Sequence, residues 1–230
     1  MLNNWKDIWN KRSSEADEIN LQMLIQLDGY DGGAGKIHEK DWRVLTKRLG
    51  DKLEIKAGDS VFEVGSGSGA FLYSLMMDFD IKVGGIDFSA GLTEVARNII
   101  PKGKFIMDEA INLSESPKYD HVISNGVFHY FDLNYAQTVI NTMIKKAVKK
   151  IGIFEVPDLA SKKELESIRR STLSKKEYDK KYANLKHTYY SKDWFMEIAR
   201  KYDLSVTVFD GCVPNYAQND YRFNVILSKK

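Results

Sequence analysis

The chain of 230 residues contains one cysteine, four prolines and no long apolar run. A lone cysteine, Cys212, can form neither an internal disulfide nor a cysteine zinc cluster, so we expect a structural thiol. No stretch has the length needed to cross a bilayer, and the opening MLNNWKDIWNKR lacks the apolar segment of a signal peptide. These absences predict a cytoplasmic protein that does not enter a membrane.

Neither sign of charge dominates, because 34 Lys and Arg are balanced by 32 Asp and Glu to give a formal charge of +2. Such a balance does not favour a nucleic-acid partner. With 43% hydrophobic residues the chain can bury one substantial core, which predicts a single domain. No histidine and carboxylate set has the spacing of a metal site, so we expect no metal.

Strand-like and helix-like stretches alternate from Ser60 onward, and this alternation predicts a parallel sheet with helices on both faces. A helix and two further strands follow near the carboxyl end. The predicted strands are Val61 to Val64, Lys82 to Asp87, Lys104 to Met107, Tyr119 to Asn125, Lys149 to Val156, Leu204 to Phe209 and Tyr221 to Ser228.

The most informative stretch is VFEVGSGSGAF, in which an apolar strand leads into three alternate glycines. Glycine has no Cβ, so the backbone at Gly65, Gly67 and Gly69 can turn sharply and let a ligand approach its N–H groups. Asp87, at the end of the next strand, can accept hydrogen bonds from ribose hydroxyls. Together these features predict a nucleoside-like cofactor.

Two cofactors remain open at this point. GSGSGA fits the dinucleotide fingerprint, with Asp87 where the ribose acid of an NAD site would stand. Three features favour a different cofactor. Glu63, two residues before the first glycine, suits a cationic ligand. Roughly 60 residues precede the glycines, whereas a dehydrogenase commonly opens with that strand. Asp108 and Glu109, after the third strand, could reach an adenine amino group.

Four segments, EVGSGSG, GIDFS, FIMDEA and YDHVISNGVFHYF, resemble in order and spacing the motifs of class I S-adenosylmethionine-dependent methyltransferases. The resemblance covers about Ser60 to Asp158. It implies an α/β, Rossmann-like, doubly wound fold with a seven-stranded, mostly parallel sheet and an antiparallel last strand. It also implies S-adenosylmethionine as cofactor and S-adenosylhomocysteine as product.

The resemblance assigns roles to particular residues. Gly65 and Gly67 would line the methionine and ribose part, Asp87 would hold the ribose, and Asn125 would edge the methionine moiety. The implied cofactor-binding residues are Glu63, Gly65, Ser66, Gly67, Gly69, Asp87, Phe88, Asp108, Glu109 and Asn125. Three alternatives stay open: Gly69 shapes the turn, Asp108 or Glu109 caps a following helix, and Phe88 belongs to the core rather than packing on adenine.

His129, just past the fourth strand in GVFHYF, stands where an open α/β sheet places its ligand crevice, and its ordinary pKa suits a general base. The alternative is a structural hydrogen bond or a pocket wall. Candidate acceptor contacts are Tyr30, Tyr130, Tyr190 and Tyr216, which could equally be framework. Because the fourth motif lacks N-P-P-Y, we expect a small-molecule oxygen acceptor. A loose likeness of the two chain ends to bacterial methyltransferases points to a sugar or secondary metabolite.

The chain is predicted to divide into a helical cap or lid (1–58), the cofactor core (59–158), an insertion (159–190) and a terminal helix with two strands (191–230). We expect the lysine-rich insertion to be a solvated helical segment, with a surface for an acidic partner as the alternative. Trp5 and Trp9 should pack against the body unless they form a movable cap.

The expected protein is a monomer or homodimer with a small-molecule acceptor. The rival functions are an NAD-dependent oxidoreductase and a non-catalytic S-adenosylmethionine-binding partner or sensor.

Overall fold

A mixed sheet organises the computed structural model of the chain, which describes residues 3–13, 19–182 and 187–230. The strands are β1 (Ser60–Val64), β2 (Lys82–Asp87), β3 (Lys104–Met107), β4 (Tyr119–Asn125), β5 (Ala147–Pro157), β6 (Leu204–Asp210) and β7 (Arg222–Lys229). Their order is β3-β2-β1-β4-β5-β7-β6. Neighbouring strands among β1 to β5 are parallel, whereas β7 is antiparallel to both β5 and β6. This confirms the predicted seven-stranded fold with an inserted antiparallel last strand.

Nine α-helices are formed by the described residues: α1 (Asn3–Trp9), α2 (Leu21–Leu27), α3 (Glu39–Leu53), α4 (Ala70–Asp78), α5 (Ala90–Ile99), α6 (Leu133–Lys146), α7 (Lys162–Ser171), α8 (Lys175–Tyr182) and α9 (Lys192–Lys201). Helices α2 to α5 contribute to one hydrophobic core, and α6 and α9 to the other. Within the described ranges, none of these helices has the length and apolar character needed to cross a bilayer.

Side chains that alternate along a strand contribute to the hydrophobic cores on both faces of the sheet. On β1, Val61 packs into the core that contains α3 and α4, whereas Phe62 and Val64 pack into the core that contains α6. Successive residues of a strand point to opposite faces, so an apolar run is what a strand covered on both faces requires. This is the physical reason why the short apolar runs of the sequence predicted a doubly wound sheet.

Polar side chains cap the amino ends of three helices. Ser89 accepts a hydrogen bond from the Leu92 N–H at 3.4 Å, Asp132 from Tyr135 at 2.9 Å and Ser191 from Trp194 at 3.3 Å. The first helical stretch of the sequence, which ends near Leu27, contains two helices, α1 and α2, and residues 14–18 between them lie outside the described part.

The chain reverses its direction across the sheet between β1 and β4. From β1 it proceeds to β2 and β3 on one side, and from β4 to β5 on the other. At such a switch point the two connections leave in opposite directions, so a crevice opens beyond the carboxyl ends of the strands. Gly65 follows β1, and Asn125 ends β4, so both stand at this crevice.

Close strand packing at Gly84 gives a first testable prediction. A Cβ at this position of β2 would lie 2.9 Å from the Lys104 carbonyl oxygen and 2.6 Å from the Tyr119 hydroxyl. We expect Gly84→Ala to lower the free energy of unfolding by about 1–3 kcal/mol through overpacking. Gly32→Ala is the control, since a Cβ there meets nothing within 4 Å. Equal melting temperatures for the two variants in a thermal unfolding experiment would contradict this packing.

Candidate active site

A cavity of about 690 Å³ lies at the switch point of the sheet, and most of the predicted site residues line it. Its walls come from the glycine-rich turn after β1, the end of β2, the segment after β4, helices α1 and α7, and the start of β7. The predicted residues on its walls are Tyr30, Glu63, Gly65, Ser66, Gly67, Asp87, Phe88, Glu109, Asn125, His129, Tyr130 and Tyr216.

Three predicted site residues are not on the described walls of this cavity. Gly69 is the N-cap of α4 at a left-handed φ of 84°, so it shapes the turn, as the alternative had it. Asp108 is exposed, and its Oδ1 accepts hydrogen bonds from the Glu109 N–H and the Asn112 amide, both at 2.7 Å. It therefore organises the 3₁₀ turn Ala110–Asn112 rather than facing the cavity.

Tyr190 lies in the hydrophobic core and is 1% exposed. Its hydroxyl is 2.9 Å from the carbonyl oxygen of Phe128 and 3.0 Å from that of Phe131. These two residues flank His129 and Tyr130 in sequence. We therefore assign Tyr190 to the support of that segment, which corrects its assignment as an acceptor contact.

Two carboxylates hold the backbone of the glycine-rich turn. The Gly67 N–H donates to Asp87 Oδ2 at 2.9 Å, and the Ser68 N–H donates to Asp28 Oδ1 at 2.7 Å. A Cβ at Gly67, where φ is 51°, would lie 2.3 Å from Asp28 Oδ1. Only glycine fits this position, because both the backbone conformation and the approach of a carboxylate exclude a side chain.

Asp28 is a site residue that the sequence reasoning missed. It caps the carboxyl end of α2 and lines the cavity beside the glycines. No motif marks it, since its partners on the turn lie far along the chain. The weak signal was its position directly after an apolar helical run and before a glycine.

The half of the cavity near the glycines is acidic. Glu63 is 2% exposed, and its Oε2 has no hydrogen-bond partner among the described residues. Burial raises the pKa of Glu63 well above its usual range, and Asp28 and Asp87 raise it further. Burial also raises the pKa of Asp28 to about 7, against the opposing hydrogen bonds of Ser68. Three carboxyl groups in one enclosed wall favour a positively charged ligand.

A second part of the cavity wall, here called the basic half, is formed around two arginines. Arg169, on α7, donates from Nε at 3.3 Å and from Nη2 at 3.2 Å to Oε1 of Gln218. Arg222, at the start of β7, donates from Nη2 to the same oxygen at 3.0 Å and from Nη1 to the Glu155 carbonyl at 2.7 Å. Both arginines line the cavity. The insertion is thus more than the solvated segment expected, since it supplies a buried wall residue.

Two histidines, the buried His129 and the half-buried His187, stand beside the arginines. The ring centroids of His129 and His187 are 4.8 Å apart, and Arg169 Nη1 is 2.8 Å from His187 Nδ1. A guanidinium can only donate, so His187 Nδ1 accepts this hydrogen bond. Burial lowers the pKa of His129 well below its usual range, and the neighbouring His187, Arg222 and Arg169 lower it further. His129 is therefore neutral near pH 7, and its Nδ1 has no partner among the described residues.

Helix α1 forms an aromatic side of the cavity. The ring centroids of Trp5 and Tyr130 are 4.4 Å apart, and Lys6 pairs with Glu109 at 2.5 Å. The Ser89 hydroxyl donates to the Trp9 carbonyl at 3.1 Å. Both tryptophans pack against the body, as expected, and both also line the cavity. Motion of this helix remains a prediction.

Tyr30 and Asn125 both line the cavity and contact each other. The Asn125 amide donates to the Tyr30 hydroxyl at 3.3 Å, and its Oδ1 has no partner among the described residues. Across residues 3–13, 19–182 and 187–230, no group of three or more His, Cys, Asp and Glu is arranged to hold a metal ion. Metal independence stays a prediction.

Comparisons with known proteins agree with this geometry. A family model described as a methyltransferase domain matches residues 55–226. The plantazolicin methyltransferase BpumL, crystallised with S-adenosylhomocysteine, is 15% identical with a TM-score of 0.66; the match covers 99% of this chain and 97% of that one. Magnesium protoporphyrin IX methyltransferase from Synechocystis PCC 6803, crystallised with S-adenosylmethionine, is 14% identical with a TM-score of 0.60, covering 99% and 92%.

A TehB-like S-adenosylmethionine-dependent methyltransferase from Corynebacterium glutamicum is 13% identical with a TM-score of 0.58, and the match covers 86% of this chain and 91% of that one. No curated protein sequence matches the chain significantly. These identities establish the fold alone, whereas the family model spans most of the chain. The chain therefore belongs to the methyltransferase-domain family, and it is an S-adenosylmethionine-dependent methyltransferase.

Proposed function

We propose that this methyltransferase methylates a hydroxyl oxygen of a small polar metabolite, of the sugar or secondary-metabolite class, inside the cavity. The observation that carries the proposal is that one cavity is lined by the glycine-rich turn, by three carboxyl groups and by a neutral, buried histidine. When bound, S-adenosylmethionine supplies a methyl carbon on a positively charged sulfur. Such a transfer needs a site for the cationic cofactor and a base for the acceptor hydroxyl. The acidic wall would supply the first and His129 the second.

The acidic half fits the cofactor. Each oxygen of Asp87 already accepts one backbone N–H, from Gly67 and from Ser89, and a carboxylate oxygen has room for a second donor such as a ribose hydroxyl. Glu63 and Asp28 would face the cationic part, where the unpartnered Oε2 of Glu63 gains a positive neighbour. Phe88 and Glu109 would flank the adenine, and Asn125 would meet the methionine moiety.

His129 would take the proton that the acceptor hydroxyl loses as its oxygen bonds to the methyl carbon. A neutral imidazole can accept a proton on the ring nitrogen that carries none. Tyr30, Tyr130 and Tyr216 would hold the acceptor between their rings, because aromatic faces pack on apolar surfaces and phenol hydroxyls bond polar ones. Helix α1 would help to keep water from the reacting atoms.

The proposal is tested by measuring S-adenosylhomocysteine release in the presence of hydroxylated sugars, sugar nucleotides and phenolic metabolites. We expect release above the acceptor-free rate with a hydroxylated compound, and a product heavier by one methylene. Tight cofactor binding without release for any acceptor would favour the non-catalytic alternative. Methylation of nitrogen or carbon would contradict the oxygen assignment while leaving the methyltransferase intact.

The acidic wall predicts that cofactor binding is linked to proton release. Asp28 has a pKa of about 7, so it is partly protonated near neutrality. A cation bound beside it favours the deprotonated form, so binding should release about half a proton from Asp28 at pH 7, and affinity should increase from pH 6 to pH 8. Calorimetric titration with S-adenosylmethionine in buffers of different ionisation enthalpy measures this release.

Asp28→Asn should reduce the proton release, and exposed Asp78→Asn should leave it unchanged. Binding without any proton release would show that no cation binds beside Asp28. Equal release by the wild type, Asp28→Asn and Asp78→Asn would show the same.

The role of His129 predicts a specific kinetic loss. We expect His129→Gln to lower kcat by about 10²–10⁴-fold, the usual contribution of a general base, while affinity for S-adenosylhomocysteine changes little. A base acts in its deprotonated form, and the pKa of His129 is well below its ordinary value. The wild-type kcat should therefore hold as pH falls through 6.5 and decline only at more acid pH.

Exposed His38→Gln is the control and should behave as wild type. An unchanged kcat in His129→Gln would show that His129 is not the general base.

A further inference from the structure

The basic half of the cavity is built from two buried guanidinium groups. Arg169 is 4% exposed and Arg222 is 7% exposed, and both line the cavity. Arginine keeps its positive charge in proteins, so its burial is costly unless anionic or strongly polar groups surround it. Hydrophobic packing does not explain two buried arginines on one cavity wall, so we consider a ligand that would bind them.

A single neutral oxygen holds the two arginines together. Oε1 of Gln218 accepts one hydrogen bond from Nη2 of Arg169 at 3.2 Å and one from Nη2 of Arg222 at 3.0 Å. The two Nη2 atoms can therefore be no farther apart than the sum of these lengths. Like charges repel at such a separation, and an amide oxygen offsets this less than an anion would.

The protein's own counter-charge in this region is incomplete for Arg222. Glu155 Oε2 and Arg222 Nε form a buried ion pair at 3.8 Å without a hydrogen bond, and burial raises the pKa of Glu155 against the lowering effect of Arg222. Both carboxyl oxygens of Glu155 and Nε of Arg222 have no hydrogen-bond partner among the described residues. His129 and His187 nearby are neutral and contribute no negative charge. Arg169 has further interaction partners of its own, so the incomplete pairing concerns Arg222 alone.

The two charged halves involve different residues. The pKa of Glu63 is raised by burial and then by Asp28 and Asp87, whereas that of His187 is lowered by burial and then by Arg169 and Arg222. A cationic ligand is favoured in the first half and an anionic one in the second. The sulfonium and ammonium groups of S-adenosylmethionine fit the first half, and its carboxylate is the cofactor group that competes with an acceptor anion for the second.

We propose, on the basis of the proposed function, that the methyl acceptor carries an anionic oxyacid group, a carboxylate or a phosphate, which binds to Arg169 and Arg222. Planar guanidinium groups match the geometry of both anions and bond them with two N–H groups at a time. Bonding to two guanidinium groups also lowers the nucleophilicity of an oxyanion. The anion therefore anchors the acceptor, and a separate hydroxyl near His129 receives the methyl group.

The test uses the protein loaded with S-adenosylhomocysteine and three aromatic probes: benzoate, phenyl phosphate and the neutral benzamide. Binding is followed by tryptophan fluorescence, since Trp5 and Trp9 line the cavity. We expect at least one anion to bind about tenfold or more tightly than benzamide, as charge-assisted hydrogen bonds require. The stronger of the two anions identifies the oxyacid as carboxylate or phosphate.

Arg169→Gln should abolish the preference for anions, and Arg169→Lys should retain part of it. Arg170→Gln is the matched control, since Arg170 is the exposed neighbour on α7 and should bind the probes as wild type. Affinity for S-adenosylhomocysteine reports separately on the fold and on the cofactor half, so it should be unchanged in all three variants.

Equal binding of benzamide and the anions by the wild-type protein would overturn the proposal without any variant, and so would failure of both anions to bind. Loss of S-adenosylhomocysteine affinity in Arg169→Gln, with a native circular dichroism spectrum, would instead assign the arginines to the cofactor. If the wild-type protein did not bind S-adenosylhomocysteine at all, the acidic half would have been misassigned, whatever the probes showed.

Discussion

The hydrogen bonds from the glycine-rich turn to Asp87 and Asp28 are the interactions on which the rest of the site depends. They join three parts of the chain that are distant in sequence: the turn after β1, the end of β2 and the end of α2. Each carboxylate satisfies a backbone N–H that a sharp turn would otherwise leave without a partner. The same bonds place both acids on the cavity wall. The amino-terminal helices are thereby part of the site rather than an addition to the sheet.

Charge is distributed unevenly in a chain whose total charge is close to neutral. Asp28, Glu63 and Asp87 surround the glycine turn, and Arg169 and Arg222 surround Gln218 on the same cavity. A composition of +2 conceals this separation, because opposite charges cancel in a sum but not in space. The proposed function places a ligand at each of these two groups, and His129, which is neutral near pH 7, lines the same cavity.

The sequence predicted the sheet well and the site in part, for a physical reason. The alternating apolar runs predicted the strands and the helices between them. The antiparallel last strand and the expected cofactor residues around Glu63 and Asp87 were implied by the resemblance of four motifs to a known family. Asp28, Arg169 and Arg222 belong to no such motif, because only the tertiary fold brings them to the cavity. Lysine-rich surroundings made the segment containing Arg169 resemble a solvated helix. Charge composition gives no information about which arginine is buried.

The central claim, that one cavity holds a cofactor at its acidic half and an anionic acceptor group at its basic half, is tested most directly by a crystal structure. The protein should be crystallised with S-adenosylhomocysteine and benzoate together. We expect the ribose at Asp87, the homocysteine amino group near Glu63 and Asp28, and the benzoate carboxylate bonded to Arg169 and Arg222. A homocysteine carboxylate bonded to the arginine pair, with benzoate excluded from the cavity, would contradict the account.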